Sequence, residues 1–291
     1  AHENKALREI DIKALQKHLI EKGNLPARVL TDTDSYPLPK EQVEEAVKQV
    51  GNDYQGLSIV LAQSDDCLPL IRKAYLATIE LQNQVEDQTR VRLSPTASDS
   101  TNPPQLIYAH ILGMLGDPTG SQTLMDAVSD QAWDEGWRFK GMGQFGGSVS
   151  RLDTLLIALG RTRDPKALPL LLDKVKNLGV DDAFSHHRAV AMALECLADP
   201  KAAQPLAELL NKPGMSGFSY TDIQKAMQAT LKGFVNDNST REKTLRELVL
   251  ARALYRCGDY QGLGESILRE YERDLRGHLA RHAHAVLNES R

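Results

Sequence analysis

The chain has 291 residues, 41% of them hydrophobic and 25% charged, enough for one large domain or two modest ones with a core that needs no staple. Its 35 basic and 39 acidic side chains leave a net charge of −4, which argues against binding nucleic acid through a basic field. Aromatics are only 5%, and β-branched runs are scarce beside Leu and Ala, so a sandwich or barrel is disfavoured; no apolar run approaches the length of a membrane span.

In chain order, residues 8–22 read as an amphipathic helix carrying Ile12, Leu15 and Leu19, stopped by Gly23 and Asn24. Residues 31–39 are turn chemistry, a helix follows from about Lys40 to Val50, and a further pair is expected over 54–63 and 66–82. The stretch 94–104, rich in Ser, Thr and Pro, has no apolar period and reads as an exposed loop between an N-terminal helical region, 1–93, and a repetitive region, 105–291. Helical stripes on both sides favour one continuous helical body. The first residue is Ala1, as expected of a processed or cut product, and no signal peptide is present in the sequence as it stands.

The repetitive region is punctuated by Asp117-Pro118, Asp164-Pro165 and Asp199-Pro200, with a looser copy at Gly258-Asp259, at steps of 164 − 117 = 47, 199 − 164 = 35 and 259 − 199 = 60 residues. Asp accepts from the orphan amides of a first helical turn, and Pro suits the first helical position while stopping the helix before it. One dipeptide is thus expected to end one helix and start the next. The flanking stripes have helical spacing: Leu152, Leu155, Leu156 and Leu159; then Leu168, Leu171, Leu172 and Val175; then Val190, Ala193, Leu194 and Leu197. A lone hairpin cannot bury such a stripe, but stacked hairpins can. The pattern Leu-Gly-x-x-x-Asp-Pro-x-Ala-x-x-x-Leu resembles the HEAT-like repeat, clearest over 159–171 and with a shorter turn over 197–210. The resemblance implies an all-α fold, an α-solenoid of stacked helical hairpins over roughly 105–275.

Two segments stand out as recognition chemistry. Residues 133–147 hold both tryptophans, four of the 15 aromatics and five of the 20 glycines. Such a loop on a repeat body suits contact through Trp133, Asp134, Glu135, Trp137, Arg138, Gln144 and Phe145. Gly141-Met142-Gly143-Gln144-Phe145-Gly146 spells a dinucleotide fingerprint, but no strand precedes it, so no cofactor is assigned. The second segment is Ser185-His186-His187-Arg188, with Ser185 expected as an N-cap and a His/Arg cluster suited to an anionic or sugar-like group. The starts of alternate helices share one edge of a hairpin stack, so Arg151 and Asp153 are expected to join His186, His187, Arg188 and the aromatic loop in one binding patch.

His278, His282 and His284 include an i, i+4 pair, yet no third ligand lies nearby in sequence, and they read as a polar helix face. Cys67, Cys196 and Cys257 are too sparse for a disulfide framework or a zinc cluster and read as buried small apolar residues. No hydrolase elbow, metalloprotease motif or phosphate loop is present, so no catalytic or metal-binding residue is assigned.

Together, Asp134-Glu135-Gly136-Trp137, Gly141 to Gly146, Arg151-Leu152-Asp153, Ala158-Leu159-Gly160-Arg161 and Ser185-His186-His187-Arg188-Ala189 resemble the helical-repeat region that follows the flavin domain in some secreted bacterial FAD-dependent oxidoreductases, as does Asp11 to Gln16. The resemblance implies an accessory domain of a larger enzyme, periplasmic or secreted, with FAD and catalysis confined to the parent. The expected role is a non-catalytic scaffold or interaction module for a protein partner or for the catalytic domain of the same parent chain. The alternatives are part of a carbohydrate-active enzyme whose site this patch completes, or, on the repeat pattern alone, a lyase acting on a chromophore.

Overall fold

The computed structural model describes residues 21, 38–53, 56–88, 103–133, 150–230 and 239–289. Among these every regular element is a helix: α1 (Lys40–Asp53), α2 (Leu57–Ala62), α3 (Ser64–Gln88), α4 (Pro104–Met114), α5 (Ser121–Asp130), α6 (Arg151–Arg161), α7 (Leu168–Lys176), α8 (Phe184–Leu197), α9 (Ala203–Leu210), α10 (Ile223–Thr230), α11 (Ser239–Arg256), α12 (Leu263–Glu272) and α13 (Gly277–Asn288). The expected helix 8–22 lies outside the described residues except for Glu21. Pro104 belongs to α4 rather than to the preceding loop, and residues 94–102 lie outside the described set.

The helices α4, α6, α8 and α11 contact one another in succession. The second helices pack along this row: α5 against α4 and α6, α7 against α8, α9 against α7 and α11, α12 against α11 and α13. Upstream, α1 and α3 pack against α4. The core runs through these contacts on the periodic stripes, with Leu112, Leu124, Leu152, Leu156, Leu159, Leu171, Leu194 and Leu206 sealed from solvent.

The junction between paired helices has one recurring build. The residue before each Asp is left-handed: Gly116 (φ 82°), Arg163 (55°), Ala198 (51°) and Gly258 (105°). At the three Asp-Pro steps the Asp is extended, as a following Pro requires, and its carboxylate accepts from the amide two residues on, Thr119, Lys166 or Lys201, at 2.9, 3.0 and 2.9 Å. The expectation that each Asp starts the second helix is therefore corrected. Each caps a single 3-10 turn, Pro118–Gly120, Pro165–Ala167 or Pro200–Ala202, and the α-helix begins after it. At the fourth step Tyr260 replaces Pro. Asp259 is then free to adopt φ 55°, and its carboxylate reaches past the 3-10 turn to the amides of Gly264 and Glu265 (2.6 and 3.0 Å). The turns are also tied to their surroundings: Arg72 of α3 pairs with Asp117, and Ser121 Oγ, just after the first turn, donates to Asp164 of the second at 2.6 Å.

Candidate functional site

Three elements converge beside the start of α8. The first is the opening of α6, where Ser150 is the N-cap. Its hydroxyl accepts from the Asp153 amide (3.1 Å), and the Ser150 amide donates to Asp153 Oδ2 (2.9 Å), a complete capping box. Asp153 is fully buried, and its second oxygen lies 2.8 Å from Nδ1 of His186 on α8. A carboxylate only accepts, so the proton of a neutral His186 sits on Nδ1 and its lone pair on Nε2. The third element is the segment beyond α5, where the Trp133 ring lies 4.6 Å from the His186 ring at a tilt of 31°. One imidazole is thus held in tautomer by Asp153 and in plane by Trp133, with 8% of its side chain exposed.

His187 faces the other way. It is fully sealed, and its Nδ1 lies 3.0 Å from the Ala183 carbonyl. Burial, reinforced by Arg246, pushes its imidazole down to about 4 against the pull of the Ala183 and Gly179 carbonyls and Asp182. Arg188 is half-buried with its guanidinium over Phe184, 5.8 Å from the ring centre. Arg151, also half-buried, opens α6 and helps burial lower the imidazole of His110, on α4, to about 4, while the Thr154 backbone opposes this. The structure thus brings Trp133, Asp153 and His186 together, sets Arg151 at the same helix start, and turns His187 into the core. Asp134, Glu135, Trp137, Arg138, Gln144 and Phe145 lie outside the described residues, as does the rest of 134–149.

Ser185 is not the N-cap of α8. Ala183 takes that position, and Ser185 is the second helical residue, its hydroxyl buried without a hydrogen-bond partner. The C-terminal histidines diverge: His284 Nδ1 meets Glu272 at 2.7 Å, and His282 Nε2 faces the Arg252 guanidinium at 3.4 Å, where a metal cation would be repelled. Among the described residues no three His, Cys, Asp or Glu side chains gather in a way that could hold a metal. Cys67 and Cys257 are buried, and burial pushes the Cys257 thiol up to about 12, far from thiolate chemistry; Cys196 is part-exposed, which departs from the buried role expected of it.

A second polar cluster lies where α11, α12 and the start of α13 meet the loop 211–222. Glu247, 2% exposed, accepts from the amides of Gly217 (2.7 Å) and Phe218 (2.9 Å) and from the Tyr271 hydroxyl (2.6 Å). Asp274 accepts from the Tyr220 amide (2.7 Å), and Arg276 donates to the Phe218 carbonyl (2.7 Å) while lying over the Tyr220 ring. Sequence reasoning passed over these residues. The available signal was Arg246-Glu247, a charged pair on the same turn of an otherwise core-facing helix. These contacts tie the 211–222 loop to α11 and to the α12–α13 junction, and α12 to α11, which makes the cluster architectural.

No protein family, curated protein or solved structure matches this chain.

Proposed function

We propose that the chain is a non-catalytic helical-repeat scaffold, an α-solenoid of HEAT-like hairpins that docks a protein partner or the catalytic domain of its own parent chain. The observation that carries this reading is the recurring junction, a left-handed residue, then Asp, then one 3-10 turn, repeated between successive paired helices. The buried charges support it as well, because Glu247, Asp274 and Arg246, with the half-buried Arg276, are spent on backbone groups of loops. The docking surface in this reading is the edge marked by the half-buried Trp133, Arg151 and Arg188, with the buried Asp153–His186 pair beneath it. The assignment of the parent as a secreted or periplasmic bacterial FAD-dependent oxidoreductase rests on the resemblance over residues 134–146 and 185–189. Scaffold function with catalysis elsewhere is what such an arrangement delivers, since fold alone fixes no chemistry.

The test is made on the purified full chain. It is expected to be colourless, to leave oligosaccharides unchanged with or without a redox dye, and to show no thermal shift with FAD. Chemical cross-linking in the source cells is expected to recover one stoichiometric partner or attached domain, with the cross-link lost in Trp133→Ala. Turnover of an oligosaccharide, or a saturable shift with one, would establish the carbohydrate-active alternative and end the scaffold reading.

A further inference from the structure

The first turn of α8 gathers donors that have no acceptor. Its N-cap is Ala183, which offers no side-chain oxygen, in contrast to the Ser150–Asp153 box that closes the start of α6. The first amides of a helix have no partner inside it. Here the His186 amide turns back to the Ala183 carbonyl at 3.1 Å, and those of Phe184 and Ser185 meet no acceptor among the described residues. The Ser185 hydroxyl is in the same condition: the residue is 6% exposed, and its oxygen is buried without a hydrogen-bond partner. Helical side chains lean toward the N-terminus, so this hydroxyl is aimed at the turn that lacks a cap.

Arg188 completes the set. Around the helix it falls between Phe184, four residues back, and Ser185, three back, and a helical side chain covers the turn before its own. The guanidinium is found there, 5.8 Å from the centre of the Phe184 ring. Its Nε is buried without a partner, and among the described residues the guanidinium makes no ion pair. Two amides, a hydroxyl and a guanidinium thus meet at one helix start, on the positive end of its dipole. An acceptor-only anion answers all of them at once. A carboxylate is such an anion; it suits a helix N-terminus and matches the planar fork of an Arg.

We propose that the start of α8 is a carboxylate site, formed by the Phe184 and Ser185 amides, the Ser185 hydroxyl and Arg188, and that it receives an acidic side chain of the docked partner.

The acids nearest this turn do not fill it. Asp153 is taken by the Ser150 amide and by His186 Nδ1, and His186 points about 100° away from Ser185. Asp182 accepts from the Gly179 amide at 2.7 Å, and Asp181 is exposed and makes no hydrogen bond to the turn. Arg188 is the movable part. A cation over an aromatic face is a weak hold, so the guanidinium is able to swing onto an incoming carboxylate and uncover the hydroxyl that its side chain overlies. The source of the carboxylate rests on the scaffold reading; the chemistry of the site rests on α8 alone.

The site is tested by NMR on the nitrogen-labelled full chain, titrated at neutral pH with sodium acetate against sodium chloride at constant ionic strength. The Phe184 and Ser185 amides and the Arg188 Nε–H are expected to shift together and saturate. Arg188→Gln is expected to weaken acetate about tenfold or more, and Ser185→Ala several-fold. Because Ser185→Ala removes an unsatisfied buried hydroxyl, its thermal midpoint is expected to hold or rise, which a purely structural role for the hydroxyl would not allow. The source is read by cross-linking in the source cells: the partner recovered with the wild type is expected to be lost with Arg188→Glu, or with Arg188→Gln should circular dichroism show that Arg188→Glu does not fold. No saturable shift, or one that survives both Ser185→Ala and Arg188→Gln, overturns the proposal, and so does equal recovery of the partner from wild type and variant; these outcomes leave the scaffold reading standing. Saturable acetate shifts with no partner recovered from the wild type end the scaffold reading instead and assign the site to a free carboxylate.

Discussion

Gly160 on α6 lies against the backbone of Ala193 on α8 so closely that a Cβ at this position would collide with the Ala193 Cα and carbonyl oxygen. Gly113 on α4 stands in the same relation to Ala158 on α6, with 2.8 Å between an added Cβ and the Ala158 carbonyl oxygen. The Gly of the repeating Leu-Gly pattern is therefore where successive helices touch backbone to backbone, and no side-chain adjustment makes room. Gly160→Ala is expected to destabilise the protein by about 1–3 kcal/mol although Ala is the better helix former. Urea unfolding measures this, and a neutral or stabilising effect would count against the tight approach.

Ala198 sits at φ 51° in the same junction position that Gly116 and Gly258 occupy. An L-residue there carries roughly 1–2 kcal/mol of steric cost that glycine escapes, offset in part by the greater freedom glycine adds to the unfolded chain. Ala198→Gly is expected to stabilise the chain by about 0.5–1 kcal/mol, read as a raised urea midpoint with an unchanged slope.

Asp153 serves two helices, capping α6 and fixing His186 of α8. Asp153→Ala removes the return half of a capping box and leaves a buried imidazole nitrogen unpaired, for a loss of about 2–4 kcal/mol. Asp153→Asn is expected to keep the fold while exchanging the His186 tautomer, because an amide is able to donate to Nδ1. Nitrogen chemical shifts of the His186 ring distinguish the two forms.

Glu247→Ala would strip two loop amides and the Tyr271 hydroxyl of their shared acceptor. With hydrogen bonds to charged groups at about 1.5–3 kcal/mol each, a loss of about 3 kcal/mol or more is expected, concentrated in earlier exchange of the 211–222 amides.

His110 supplies an acid dependence of its own. Its imidazole titrates at about 4 in the fold and at the ordinary 6.5 unfolded, so its contribution to stability is intact above about 6.5 and lost as pH falls toward about 4. In His110→Gln, the decline of unfolding free energy across that window is expected to flatten by the equivalent of one proton.

The helical character was legible because apolar spacing reports burial directly: Leu152, Leu155, Leu156 and Leu159, then Leu168, Leu171 and Val175, are all buried. The junctions were legible as stops, but not as 3-10 turns, since Asp-Pro fixes the cap and the first φ and leaves open whether the next bond spans three residues or four. Ser185 misled because a favoured capping residue stood two residues past the cap, Ala183, that begins the helix. His186 and His187 read as one cluster, yet adjacent helical residues point about 100° apart, which sent one to Asp153 and sealed the other against the Ala183 carbonyl. The Glu247 cluster showed in the sequence only as the Arg246-Glu247 pair, because its partners lie 24 to 30 residues away and meet only once α11, α12 and the 211–222 loop are in place.

Each Asp turn joins one helix to its partner within a pair, so the links from pair to pair leave from the opposite ends of the helices. There, residues 131–150 connect α5 to α6, while only 177–183 connect α7 to α8. The uneven steps of 47 and 35 residues thus differ mainly in the length of these links, while the Asp turns keep one build. Variation in length is therefore carried by the chain between helix pairs, and the Asp turns act as fixed rulers that set the spacing of each helix from the next.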